Sequence, residues 1–192
     1  MYLFFDTETT GLPKNYQAPL DDFLNWPRIV QIAWSLYDEV GNHWESYCYI
    51  IKPNGFVIPE EVAKIHRVSQ ERAEKEGIDL KVALEYFLRD AESASYLVAH
   101  NIDFDEKIIG SELLRENLAP NPFRGTNRIC TMKSSVDFCK ISNGRGSYKW
   151  PNLSELYRIL FSSDFPEAHD ALVDVTACAK CFFELKRRGI LN

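Results

Sequence analysis

The segment Tyr2–Thr9 reads Tyr-Leu-Phe-Phe-Asp-Thr-Glu-Thr, an apolar, aromatic opening that turns acidic. Its composition predicts a strand, and strand side chains alternate faces, so Asp6 and Glu8 share one face. Two carboxylates side by side repel each other and lose hydration when the strand is packed into a core. Either the strand end runs into solvent or a bound cation offsets the repulsion. The flanking Leu3-Phe4-Phe5 and the single residue between the acids favour the cation.

The rest of the chain predicts helices layered on a sheet. Gly11-Leu-Pro13 ends the first strand, and Lys14–Pro27 follows as a long loop rich in turn-prone residues. Arg28–Tyr37 and Trp44–Ile51 read as strands joined by a turn at Asp38–Asn42, and Pro53–Gly55 closes that hairpin. Helices are predicted over Glu60–Arg67, Ser69–Glu76 and Asp79–Ala91, then a short strand at Tyr96–Ala99 and a helix over Asp103–Glu116, stopped by Pro120. A last strand at Arg128–Thr131 precedes helices at Asn152–Phe161 and Ala171–Arg188. This order predicts an α/β fold with a mixed sheet. At ~150 residues per domain, 192 residues predict a single domain spanning 1–192.

Two further acids stand where acids are costly. In the last helix Asp174 falls within the arc of Ala171, Cys178, Cys181, Phe182 and Leu185, at ~100° per residue. A core-facing acid is seldom left unpaired. Asp170 lies off that face and reads as a cap or a solvent-facing residue. In His100-Asn-Ile-Asp103-Phe-Asp105-Glu106, Asp103 and Glu106 resemble a capping box, while Asp105 shares a face with Ile108 and Ile109. Asp6, Glu8, Asp105 and Asp174 can therefore converge from three elements. An all-oxygen donor set suits hard cations, Mg²⁺ or Mn²⁺. The four histidines are too scattered for a zinc site, and Cys178 and Cys181 read as small core residues. His169, five residues before Asp174, is either a cap or a base able to take a proton at neutral pH.

Composition removes several classes of function. With 45% hydrophobic and 26% charged residues the chain is neither disordered nor fibrous. A net charge of −6 argues against nonspecific coating of nucleic acid. No apolar run is long enough to cross a bilayer, so no membrane partner is expected. The start meets an acid at residue 6 without a basic flank, unlike a signal peptide, and five cysteines make no disulfide framework. The expected location is cytoplasmic.

Three motifs, taken together, resemble the DEDDh family of 3′–5′ exonucleases: Phe5-Asp-Thr-Glu-Thr-Thr-Gly11, His100-Asn-Ile-Asp-Phe-Asp105 and His169-Asp-Ala-Leu-Val-Asp174. Arg28–Ala33 and Ile65-His66 also sit where that family has a second strand and a substrate-side histidine. The resemblance covers nearly the whole chain. It implies a ribonuclease H-like mixed central β-sheet flanked by α-helices, and two divalent metal ions, Mg²⁺ or Mn²⁺, ~3.5–4 Å apart. It implies that Asp6, Glu8, Asp105 and Asp174 hold the metals, that His169 is the general base, and that a 5′-mononucleotide leaves the 3′ end of single-stranded DNA or RNA. Thr7, Thr9, Thr10, Leu12, His66 and Asn101 are the implied substrate contacts. A non-catalytic module of the same fold, binding nucleic acid or a protein partner, is the alternative. Proofreading members carry an extra C-terminal segment that binds the polymerase; here the sequence ends four residues after Arg188, so a stand-alone nuclease is expected rather than a tethered one. Neither the oligomeric state nor the choice of DNA or RNA is legible.

Charge is uneven along the chain. From Arg124 to Lys149 there are six basic residues and one acid, interleaved with Phe138 and Tyr148 and edged by Phe123 and Trp150. Cations and rings together suit a single-strand groove, and equally a solvated surface with some core aromatics. Lys186-Arg-Arg188 reads as a helix C-terminus that offsets the dipole. The 14–27 loop could gate the site or be a passive insertion.

Overall fold

The computed structural model describes residues 1–118, 122–123, 125–165 and 170–191. The apolar run at the N-terminus forms β1 (Tyr2–Thr9), which pairs antiparallel with β2 (Ile29–Tyr37); β2 in turn pairs antiparallel with β3 (His43–Ile50). Three helices follow, α1 (Glu60–His66), α2 (Gln70–Glu76) and α3 (Leu80–Ser93). The chain then returns through β4 (Tyr96–Ala99) on the other side of β1, parallel to it, and α4 (Ile102–Arg115) leads to β5 (Asn127–Cys130). The sheet order is β3-β2-β1-β4-β5, so β1 is central and mixed in its pairing. One-turn helices α5 (Thr131–Ser134) and α6 (Val136–Cys139) precede α7 (Leu153–Phe161) and α8 (Ala171–Arg187).

Alternation along β1 divides the core in two. Leu3 and Phe5 face Trp34, Leu84, Phe87 and Ile108, on the side of α3 and α4. Tyr2 and Phe4 face Ala33, Val98, Val175, Cys178 and Phe182, on the side of α8. Burying each such side chain contributes ~1.5–3 kcal/mol, so both faces of β1 are firmly covered and its polar end is held where the core places it. Cys178 and Cys181 are buried members of the α8 packing, as expected.

The predicted elements hold within a residue or two, with two departures. No element is predicted between Thr131 and Asn152, and the 131–139 stretch contains α5 and α6, too short to show a 3.6-residue period. The capping box of Asp103 and Glu106 does not form. Helix α4 starts one residue earlier, after Asn101 in a left-handed conformation (φ 75°). Asp103 is thereby moved into the first turn, where its carboxylate pairs with Lys133 at 2.5 Å, and Glu106 pairs with Arg128 at 2.7 Å. The expected stop at Pro120 lies outside the described residues.

The 14–27 loop is docked on α4. Asn25 closes it by accepting from the Asn15 N–H (2.7 Å) and donating to the Asn15 carbonyl (3.0 Å). From α4, Lys107 donates to the Tyr16 carbonyl and Arg115 to those of Phe23 and Trp26. Below this contact Glu112, fully buried, accepts from Arg28 Nε and from the Ile29 N–H, each at 2.9 Å, and pairs with Arg115 at 3.2 Å. Helix α4 is thus bolted to the start of β2.

Candidate active site

The acids of β1 lie beyond the aromatic part of the strand, on the face that α8 covers. Helix α8 begins at a cap: the Asp170 carboxylate accepts from the N–H groups of Leu172 and Val173 at 3.0 and 3.3 Å, which satisfies two of the amides a helix start leaves open. Gln31, buried in β2 opposite Glu8, accepts from the Ala171 N–H at 3.2 Å. Its amide group donates to Cys48 Sγ. These bonds set the first turn of α8 against the sheet and bring Asp174 to Asp6 and Glu8. One carboxylate oxygen from each of the three lies within 4.8 Å of the others.

Asp105 enters from the opposite side. It is 2% exposed, in the first turn of α4, and one of its oxygens accepts from both the N–H (3.1 Å) and the hydroxyl (2.7 Å) of Thr7. Thr7 points away from Asp6 and Glu8, so the strand itself carries Asp105 to the edge of the acidic group. The helical-face argument for Asp105 over Asp103 therefore agrees with the burial of the two residues.

Electrostatics show the strain of this arrangement. Burial, and then the charges of Asp105, Asp174 and Glu8, push the Asp6 carboxyl well above its ordinary range. Burial, followed by Asp174 and Asp105, raises Glu8 to about 8. Asp105 is raised to about 7 by burial, against the lowering effect of its Thr7 bonds. Among the described residues no cationic side chain is ion-paired with Asp6, Glu8 or Asp105. Clustered, desolvated carboxylates that raise one another's pKa suit a hard divalent cation.

Beside the acids is a cavity of about 260 Å³ lined by Thr7, Glu8, Thr9, Gly11, Leu12, Val62, Ile65, His66 and Phe104. Four of the six expected substrate contacts are in this wall: Thr7, Thr9, Leu12 and His66. Leu12 is 73% exposed at its mouth. His66 is buried and its Nδ1 accepts from the Val68 N–H at 3.2 Å, which leaves the ring proton on Nε2. Thr10 and Asn101 are outside this wall. Thr10 accepts from the Arg28 N–H at 3.0 Å, and Asn101 forms the left-handed start of α4. His169 lies outside the described residues.

Sequence reasoning missed Gln31 and Glu112, both buried polar residues that place the helices of the site. Gln31 left a signal, an amide in the apolar run Ile29–Ala33; Glu112 left one too, an acid between Gly110-Ser111 and Leu113-Leu114 of a core-facing helix.

A model of the exonuclease family RNase_T matches residues 3–182. Among solved structures, E. coli exonuclease I in complex with a dT13 oligonucleotide matches with a TM-score of 0.76 and 18% identity over 97% of this chain and 41% of that one. The same enzyme with a dA16 oligonucleotide gives 0.69 and 19%, covering 97% and 40%. Exonuclease I from Methylocaldum szegediense gives 0.66 and 20%, again covering 97% and 40%. The chain thus spans about two fifths of the length of these proteins and shares their fold. No match was found among curated proteins. Since the family match runs through every element from β1 to α8, the chain belongs to the RNase_T exonuclease family, with a ribonuclease H-like fold.

Proposed function

We propose that residues 1–192 act as one 3′–5′ exonuclease domain of the DEDDh type, removing 5′-mononucleotides from single-stranded DNA or RNA. The observation that carries this reading is the convergence of Asp6, Glu8 and Asp174 within 4.8 Å, with Asp105 held alongside by Thr7. The donor chemistry fits Mg²⁺ or Mn²⁺, which these four carboxylates would hold. When bound, such ions supply Lewis-acid polarisation of the scissile phosphate and a nucleophile at neutral pH.

The chain's own residues supply the rest. The 260 Å³ cavity receives the terminal nucleotide, with Leu12 and Ile65 as apolar contacts for its base and His66 Nε2–H as a donor. His169, placed by its spacing from Asp174, takes the proton of the attacking water. The phosphorus–O3′ bond breaks, the new 3′-hydroxyl stays on the shortened strand, and the phosphate leaves on the released nucleotide. The bound oligonucleotides of the structural relatives support a single-stranded substrate.

The test is an assay with 5′-labelled single-stranded DNA and RNA oligomers in Mg²⁺, Mn²⁺ or EDTA, beside Asp6→Ala. The expected result is a metal-dependent ladder shortening from the 3′ end, absent from the variant. Folded protein that cleaves neither oligomer, or an equally active Asp6→Ala, overturns the proposal.

A further inference from the structure

The basic, aromatic stretch before α7 changes character once its partners are known. Three of its cations are engaged: Arg128 with Glu106, Lys133 with Asp103, and Lys149 with Glu155. Among the described residues Lys140 and Arg145 form no ion pair. Among the described residues, the free positive charge of the stretch therefore lies at Lys140 and Arg145.

That end is a small ordered hairpin. Ser142 bridges Tyr148, the Lys149 N–H donates to the Ile141 carbonyl at 2.9 Å, and the Asn143 N–H donates to Ser147 at 3.0 Å. At the tip the Asn143 carboxamide oxygen accepts from the N–H groups of Arg145 (2.8 Å) and Ser147 (3.3 Å). Gly144 (φ 74°) and Gly146 (φ 82°) supply the left-handed turns that present Arg145 between them. Two large rings stand out on the returning arm, Tyr148 at 45% exposure and Trp150 at 62%. They are two residues apart on the arm that returns from the tip to Pro151.

The arm is fixed to the sheet beside the acids. Pro151, the next residue, is buried, and its carbonyl accepts from His100 Nε2 at 3.0 Å. His100 follows β4, which lies parallel to β1 with Val98 opposite Phe4. His100 Nδ1 bonds the Thr131 hydroxyl at 3.0 Å, and that hydroxyl lies 3.6 Å from Sγ of Cys178, whose thiol feels the charge of Asp6. Exposed rings and unpaired cations thus begin next to the site in a chain of net charge −6. This is the composition of a surface that stacks bases and follows phosphates.

We infer that the 140–150 hairpin is a single-strand platform, with Tyr148 and Trp150 stacking bases upstream of the terminal nucleotide and Arg145 and Lys140 on their phosphates. The inference rests on the exonuclease reading for its direction: the strand runs from this platform into the cavity beside Glu8. Stacking on π-faces makes the platform indifferent to sequence.

The test is fluorescence anisotropy of labelled dT12, rU12 and dT3 with wild type, Tyr148→Ala/Trp150→Ala, Trp150→Phe and Arg145→Gln. Ca²⁺ replaces the catalytic metal, oligomer integrity is checked by gel, and circular dichroism checks folding. The double variant is expected to bind dT12 about 5- to 100-fold more weakly, with a much smaller defect for dT3; Trp150→Phe retains most of the affinity. Arg145→Gln is expected to reduce the slope of log K against log salt by ~0.7, one phosphate contact on a single strand. A folded double variant that binds dT12 like wild type overturns the platform while leaving the exonuclease reading intact. Platform-dependent binding without cleavage does the reverse, and a wild-type protein that binds neither dT12 nor rU12 overturns both.

Discussion

Thr7 holds Asp105 twice, through its N–H and its hydroxyl, on the same carboxylate oxygen. The residue between the two acids of β1 therefore fixes a third, from the other face of the sheet. Thr7→Val keeps the volume and removes the hydroxyl. Turnover is expected to fall ~10- to 100-fold, the scale of a misplaced catalytic group, whereas Thr7→Ser keeps near wild-type rates. Steady-state kinetics of both variants decide it, and equal rates for Val and Ser would make the hydroxyl irrelevant.

Without a divalent cation, the carboxylate cluster should make the protein less stable as pH rises. Glu8 and Asp105 hold their protons in the folded state up to about 8 and about 7, against ~4 for unfolded carboxylates. Between those values the folded state binds more protons, so raising pH removes stability. Thermal melts in EDTA are expected to fall from about pH 5 to pH 8, and Mg²⁺ or Mn²⁺ to restore the loss. A melting temperature indifferent to the cation at pH 8 would contradict this.

Asp174→Asn separates function from fold. It removes one of the repelling charges, so the metal-free variant should melt at or above wild type at pH 8, while turnover drops by at least ~10²-fold. A variant that unfolds, or one that turns over normally, would remove Asp174 from the site. His169→Ala is expected to lower kcat by ~10²–10⁴-fold if it is the base, and a few-fold effect would leave it a cap.

His100 acts on stability in the opposite direction. Burial lowers its pKa to about 4, so the ring is neutral at pH 7, with Nε2 donating to Pro151 and Nδ1 accepting from Thr131. An unfolded histidine titrates near ~6.5, so this contribution is complete above pH 6.5 and is lost as pH falls toward 4. The limit is about 3 kcal/mol. His100→Gln can keep the bond to Pro151 without a titrating group, and its melts should lose this acid sensitivity relative to wild type.

Glu112→Ala leaves Arg28 and Arg115 beside an empty acceptor at the β2–α4 contact. Breaking a buried ion group from one side costs ~3–5 kcal/mol, and the melting temperature should drop by about 10 °C. A change of a degree or two would show that water or a neighbour replaces the carboxylate.

The carboxylates of the site were legible because they violate a local pattern. Asp6, Glu8, Asp105 and Asp174 each interrupt an apolar face, and a costly residue in a periodic segment is visible without a structure. Local periodicity says nothing of partners far along the chain. Glu112 lies 84 residues from Arg28, and Asp103, moved into the first turn by the earlier start of α4, pairs with Lys133. The same long-range pairing was invisible in the basic stretch, where acids of α4 and α7 pair with Arg128, Lys133 and Lys149. Cavity-lining residues were the intermediate case: Leu12 and His66 reach the cavity, whereas Thr10 is consumed by a backbone bond to Arg28.

Gln31 reaches across from β2 to the first amide of α8. The position of Asp174 is therefore measured from the sheet rather than from the chain that leads into the helix. Gln31 and the Asp170 cap together set where that carboxylate stands, so a change of length upstream of His169 is expected to be absorbed before it reaches the acidic centre.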